Sequence, residues 1–177
     1  DAYRTFGAKP KKHTVSLETL LHKACEEDQL HVRSLVDLYN AISLQYLLPA
    51  GAFDLHAVQG DITLRGAHDD ESAVKLLGEK AARAPQKGEV IYADDQGALC
   101  RRWNWKEADR SKITSETSDV IFVFEILDAQ RLPVLSAALQ QMAEYIRKYC
   151  SGEVSSCILS SDSSEKTIVA ADGTYPS

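Results

Sequence analysis

The run Val120 to Leu127, VIFVFEIL, constrains the fold more than any other stretch of the chain. It is nearly all apolar and β-branched or aromatic, so it reads as a central strand buried on both faces. Such a strand needs structure laid on each side of it. Helices are on offer: Ser16 to Gln29 sets Leu17, Leu20, Leu21, Ala24 and Cys25 at helical spacing behind a Ser cap. A second helix runs from about Ser34 to Leu48 with Leu35, Val36, Leu38, Tyr39, Ile42 and Leu47, and Pro49 stops it. Pro133 suits the first turn of a third, reaching about Tyr149 with Leu135, Ala138, Leu139, Met142 and Ile146 facing the core.

The remaining signals are mostly strands. Asp61 to Gly66 is one, and Glu89 to Ala93 with Ala98 to Trp103 form a hairpin across the turn Asp94 to Gly97. Val154 to Leu159 and Thr167 to Ala170 read as late strands, while the Ala- and charge-rich Asp69 to Lys87 reads as a short helix closed by a loop at Pro85 to Gly88. Helices and strands mix without strict βαβ alternation, which predicts an α/β (α+β) fold, a mixed β-sheet with packed helices. With 177 residues, 44% apolar, the chain is expected to form a single domain over 1–177, fraying at 1–13 and 172–177.

Charge and cysteine usage narrow the function. There is no apolar run near the roughly 20 residues that span a bilayer and no signal-peptide stretch, so a cytoplasmic protein without membrane contact is expected. Cys25, Cys100, Cys150 and Cys157 form no C-x-x-C pair and read as buried reduced thiols; His13, His22, His31, His56 and His68 form no H-E-x-x-H. No metal and no cofactor are expected. Twenty Lys and Arg against 26 Asp and Glu give a net charge of −6, which argues against DNA or other nucleic acid held by charge alone. Local patches remain. Lys9, Lys11 and Lys12 read as a solvated face, whereas Arg101, Arg102, Lys106, Arg110 and Lys112 interleave with Trp103 and Trp105, the only tryptophans. Guanidinium groups beside planar rings suit a single-stranded nucleotide end, where bases stack and phosphates pair.

No G-x-S-x-G, P-loop or G-x-G-x-x-G occurs, which shifts weight toward a site that positions water and polarises a carbonyl. Two polar constellations stand out. In Val36 to Leu55, Asp37 and Asn40 lie one helical turn apart and Gly51, Ala52, Phe53 and Asp54 follow the Pro49 stop. Capping is the plain alternative for these polar residues. In Glu89 to Thr117, acids, Arg, Trp, Asn, Ser and Thr crowd between strands, where sites commonly sit.

Taken together, Asp37, Asn40, Ala52-Phe53-Asp54 and the run Ser111, Thr114, Glu116, Thr117 before Val120 resemble the tRNA-editing domain, modules B-three and B-four, of the phenylalanyl-tRNA synthetase β chain. The resemblance covers roughly residues 14–128. Free-standing versions of the domain look closer still, in the strings YADD, RRWNW and GAFDL and in Lys-Pro-Lys-Lys at Lys9 to Lys12. The resemblance implies metal-free, cytoplasmic hydrolysis of the ester joining a wrong amino acid to a tRNA 3′ end. It also implies that Asp109 faces that amino acid and that Tyr39 lines the pocket. Where the synthetase domain has His before the Ala-Phe-Asp turn, this chain has Gly51, which leaves the edited amino acid open.

On this basis Asn40, Asn104 and Asp109 are the catalytic candidates, Asn40 and Asn104 positioning ester or water and Asp109 holding the ammonium. Tyr39, Gly51, Ala52, Phe53, Arg101, Arg102, Trp103, Arg110, Ser111 and Thr114 are the binding candidates, with Arg101, Arg102 and Trp103 gripping the nucleotide end. The leading reading is a trans-editing aminoacyl-tRNA deacylase in translation quality control, with aminoacylated tRNA as partner. A non-catalytic tRNA or aminoacyl-binding module is the alternative, and a small-molecule hydrolase or amino-acid sensor a third. All require the helix ending at Pro49 and the tryptophan-bearing segment to share a cleft.

Overall fold

A computed structural model describes residues 2–9, 12–26 and 34–168. Helices α1 (Ala2–Thr5) and α2 (Ser16–Glu26) are followed by α3 (Leu35–Tyr46). Ser34 caps α3 by accepting from the Asp37 amide, Leu47 closes it in the left-handed conformation at φ 51°, and Pro49 follows. Strand β1 (Ala50–Asp54) comes next, then β2 (Thr63–Gly66), β3 (Val90–Asp94), β4 (Gly97–Arg101), β5 (Lys106–Glu107) and β6 (Val120–Phe124). Helix α4 (Leu132–Tyr145), with Pro133 in its first turn, runs into a π-turn over Ile146–Cys150.

All described strand pairs are antiparallel: β1 pairs with β6, and β2-β3-β4-β5 form a second sheet. The β1–β6 ribbon lies between two apolar layers. Ala50, Ala52, Val120, Phe122 and Phe124 pack with Leu38, Tyr39 and Ile42 of α3 and Leu135, Ala138 and Met142 of α4. Phe53, Ile121 and Val123, on the opposite face, pack with Tyr92, Leu99 and Cys100 of the larger sheet. Coverage on both faces explains the unbroken apolar run. The strand is not central, however: β1 is its sole partner among the described residues, and Val120–Phe124 are each only half-buried. Ala52-Phe53-Asp54, which the resemblance implied to be a turn, belongs to β1, the partner strand that makes this ribbon possible.

Other expectations are corrected. Asp69 to Lys87 holds no helix; Val74 bridges Arg83, Leu76 bridges Ala108, and both side chains cover the outer face of the larger sheet. Tertiary pairing there outweighs local helix propensity. Val154 to Leu159 forms no strand; beyond residue 150 only an isolated Ser160–Ser163 bridge appears among the described residues. Thr167 and Ile168 are not in a strand, and Val169, Ala170 and Asp172 to Ser177 lie outside the described residues, as do Gln29 and Lys11. Of the four free cysteines only Cys100 is buried. Within the stretch expected to fray, Tyr3 and Ala8 are buried. Among the described residues no helix is long and apolar enough to cross a membrane.

Candidate functional site

A cavity of about 200 Å³ opens between the two sheets beside α3. Tyr39 and Asn40 come to it from α3, Gly51 and Phe53 from β1, Val123 and Glu125 from β6 and its end. Tyr92, Cys100, Lys106 and Glu107 arrive from β3, β4 and β5. Trp103, Asn104 and Trp105 close it from the turn after β4. The helix ending at Pro49 and the tryptophan-bearing segment therefore do meet in one cleft. Backbone conformation aims that turn: Arg102 and Trp103 take successive φ values of 49° and 65°, a left-handed pair that residues with a Cβ rarely adopt.

Two half-buried carboxylates dominate the cleft. Glu107 accepts a hydrogen bond from the Ala52 amide at 3.1 Å, and burial outweighs that bond, pushing its carboxyl from 4.5 up to about 7. Glu125 accepts from the Tyr92 hydroxyl at 2.5 Å, from Asn104 Nδ2 at 2.6 Å and from Trp103 Nε1. Burial raises its carboxyl while these three donors oppose the rise. Burial also pushes the Cys100 thiol well up, which makes it inert as a nucleophile at neutral pH. At the rim the Arg102 guanidinium stands 4.6 Å from the Trp105 ring centroid, Lys106 Nζ 5.8 Å, and the His13 ring meets the same indole edge-on at 4.9 Å.

The expected site residues divide on this geometry. Tyr39, Asn40, Gly51, Phe53, Trp103 and Asn104 line the cleft, whereas Ala52 contributes its backbone amide through Glu107 and points its side chain into the helical core. Arg101 does not reach the cleft: it is buried, and Nε and Nη2 each donate to Glu89 at 2.8 Å. Burial alone would raise the Glu89 carboxyl, but Arg101 and then Arg102 hold it below the ordinary range. Arg110 is likewise spent on Asp94, at 3.0 and 2.5 Å, and on the Ala57 and Gly97 carbonyls. Asp109 sits on another surface hollow with Arg110 and pairs with Lys75 and Lys112, whose hydrogen bonds lower its carboxyl. Ser111 is sealed, its hydroxyl without a partner among the described residues, and Thr114 makes a turn with Thr117. Asp37 serves the α3 cap.

Sequence reasoning missed Glu107, Glu125, Tyr92 and Tyr3. One signal was present for Glu125: an ionisable residue inside an otherwise apolar run, which is costly to bury unless it is used or paired. Glu107 carried none, since its neighbours in sequence are charged and aromatic alike.

Against known proteins, residues 1–151 match the B3/4 domain family. Among curated relatives, the phenylalanine–tRNA ligase beta subunit of Fusobacterium nucleatum is 35% identical over 68 residues, 38% of this chain and 8% of that protein. The same subunit of Bordetella pertussis is 31% identical over 83 residues, 47% and 10% of the two chains. That of Psychrobacter arcticus is 32% identical over 87 residues, 49% and 10%. The matched stretches thus span about a tenth or less of these relatives. Since the family match runs through every residue of the cleft between the two sheets, the chain belongs to the B3/4 domain family.

Proposed function

We propose that this protein is an aminoacyl-tRNA deacylase acting in trans, which hydrolyses the ester of a mischarged tRNA at its 3′ end. The observation that carries the reading is a half-buried carboxyl, Glu107, set on the Ala52 amide inside a cleft of aromatic and amide side chains, surroundings that raise it to about 7. A base with that pKa is half-ionised at neutral pH and suited to take a proton from water. The relatives' name, a phenylalanine–tRNA ligase subunit, supports tRNA as the partner. In this scheme Glu107 activates the water and Asn40 orients the ester carbonyl. Glu125, held by three donors, presents negative charge toward the substrate ammonium. The Trp105 ring with Arg102 and Lys106 offers stacking and phosphate contacts to the nucleotide end. Aminoacyl esters hydrolyse readily, so positioning and charge suffice.

A panel of aminoacyl-tRNAs, followed for loss of label, tests the reading. The intact protein is expected to accelerate deacylation of one mischarged member, and Glu107→Gln to lower that rate by about 10²-fold or more. Protection of the ester by the intact protein would instead identify a binding module. An unchanged rate in Glu107→Gln would remove Glu107 from the chemistry.

A further inference from the structure

We infer that Tyr3 is a positioning residue of the cleft, which fixes the side-chain amide of Asn104 in the one orientation that donates to Glu125. Tyr3 lies on α1, 101 residues before Asn104, yet it is buried and its hydroxyl donates to Asn104 Oδ1 at 2.5 Å. A primary amide is nearly symmetric in shape but has one accepting and one donating end. Whatever grips one end decides what the other presents. With Oδ1 taken by Tyr3, Nδ2 faces Glu125 Oε2 at 2.6 Å, so all three groups on that carboxylate are donors. Turned over, Asn104 would set a carbonyl oxygen against a carboxylate, an arrangement relieved only by protonating Glu125 or by opening the cleft. The Tyr3 ring also leans on Trp103, centroids 6.2 Å apart, and on Phe6 at 5.4 Å, so the segment carrying α1 braces the indole that bonds Glu125. Burial pushes the Tyr3 hydroxyl upward, which keeps its proton available for donation.

The consequence for turnover rests on the deacylase reading; the coupling of Tyr3 to Glu125 does not. Trp103 and Trp105 are the only tryptophans, so a full-length chain carrying Trp105→Phe reports on Trp103 alone. Among the described residues, the titratable groups that act on Glu125 or share its cavity are Tyr3, Tyr39, Tyr92, Cys100, Lys106 and Glu107; burial pushes the three tyrosines and the thiol up to where they keep their protons, Lys106 pairs with Glu79, and Glu107→Gln silences the last. In that background, Tyr3→Phe is expected to move the pH midpoint of Trp103 emission upward by about half a unit or more, because the donor set on Glu125 is no longer enforced. Adding Asn104→Ala should abolish the effect of Tyr3→Phe, as residues acting through one another require. An unmoved midpoint, or a Tyr3→Phe effect that survives Asn104→Ala, overturns the inference. In the otherwise native chain, Tyr3→Phe should lower kcat about tenfold with KM little changed. If the native chain deacylates nothing, the deacylase reading falls while the fluorescence midpoint still decides the role of Tyr3.

Discussion

Gly51 and Glu107 are a matched pair. A Cβ built at position 51 would stand 3.1 Å from Glu107 Oε1, so the absence of a side chain there gives the carboxyl room to reach the Ala52 amide. Gly51, the position at which this sequence departs from the resemblance, therefore faces a half-buried acid of β5. That acid makes stability depend on pH. Its folded value of about 7 lies above its ordinary 4.5, so the folded state holds the proton more tightly. The contribution is complete below about 4.5 and is lost as pH rises through 7. Urea midpoints measured from pH 5 to pH 8 should accordingly fall toward the alkaline end, and Glu107→Gln should flatten the fall. At roughly 1.4 kcal/mol per unit the effect is on the order of a few kcal/mol. An equal slope in both proteins would mean that Glu107 titrates normally. From sequence, Glu107 could not be told apart from the charged residues around it, since burial is a property of the surroundings.

At the level of elements, the hairpin β3–β4 was legible: two short apolar runs joined by the turn residues Asp94 to Gly97 specify it. Its basic residues were not. Arg101 and Arg102 are neighbours of one type, yet one ends β4 pointing into Glu89 and the other leaves through a left-handed turn toward Trp105. Arg101→Ala strands a buried carboxylate and should destabilise the protein by about 3–5 kcal/mol. Arg102→Ala, which removes the cation over Trp105 and the more distant guanidinium partner of Glu89 at 3.8 Å, should cost less than Arg101→Ala while weakening the proposed tRNA binding. Denaturant melts with a parallel binding assay check both, and equal destabilisation would show that the two guanidinium groups share one structural task. The strand β1 escaped notice because five residues after a proline stop carry too little pattern; only pairing with β6, Gly51 opposite Val123, defines it.

Over the whole molecule, helices, the β1–β6 ribbon and the four-stranded sheet form three layers, and the cleft opens where the last two part beside α3. A net charge of −6 leaves the nucleotide end few cations to meet. On the deacylase reading, with Arg102 and Lys106 as the contacts, log K for tRNA binding should fall against log salt with a slope of about −1 to −2. Filter binding over a range of salt measures it, and a slope steeper than about −5 would require a broad backbone footprint elsewhere. Periodicity, proline stops and the all-apolar run settled the helices, the hairpin and the need for cover on both faces of β6, because each depends on neighbours in sequence. The residue strings likewise sufficed for the family. Tertiary structure alone decided which ionisable groups line the cleft and which bind one another: Glu107 and Glu125 become half-buried acids of the cleft, and Arg101, Arg110 and Asp109 are turned elsewhere, because burial and partner distance are set by elements far apart in the chain.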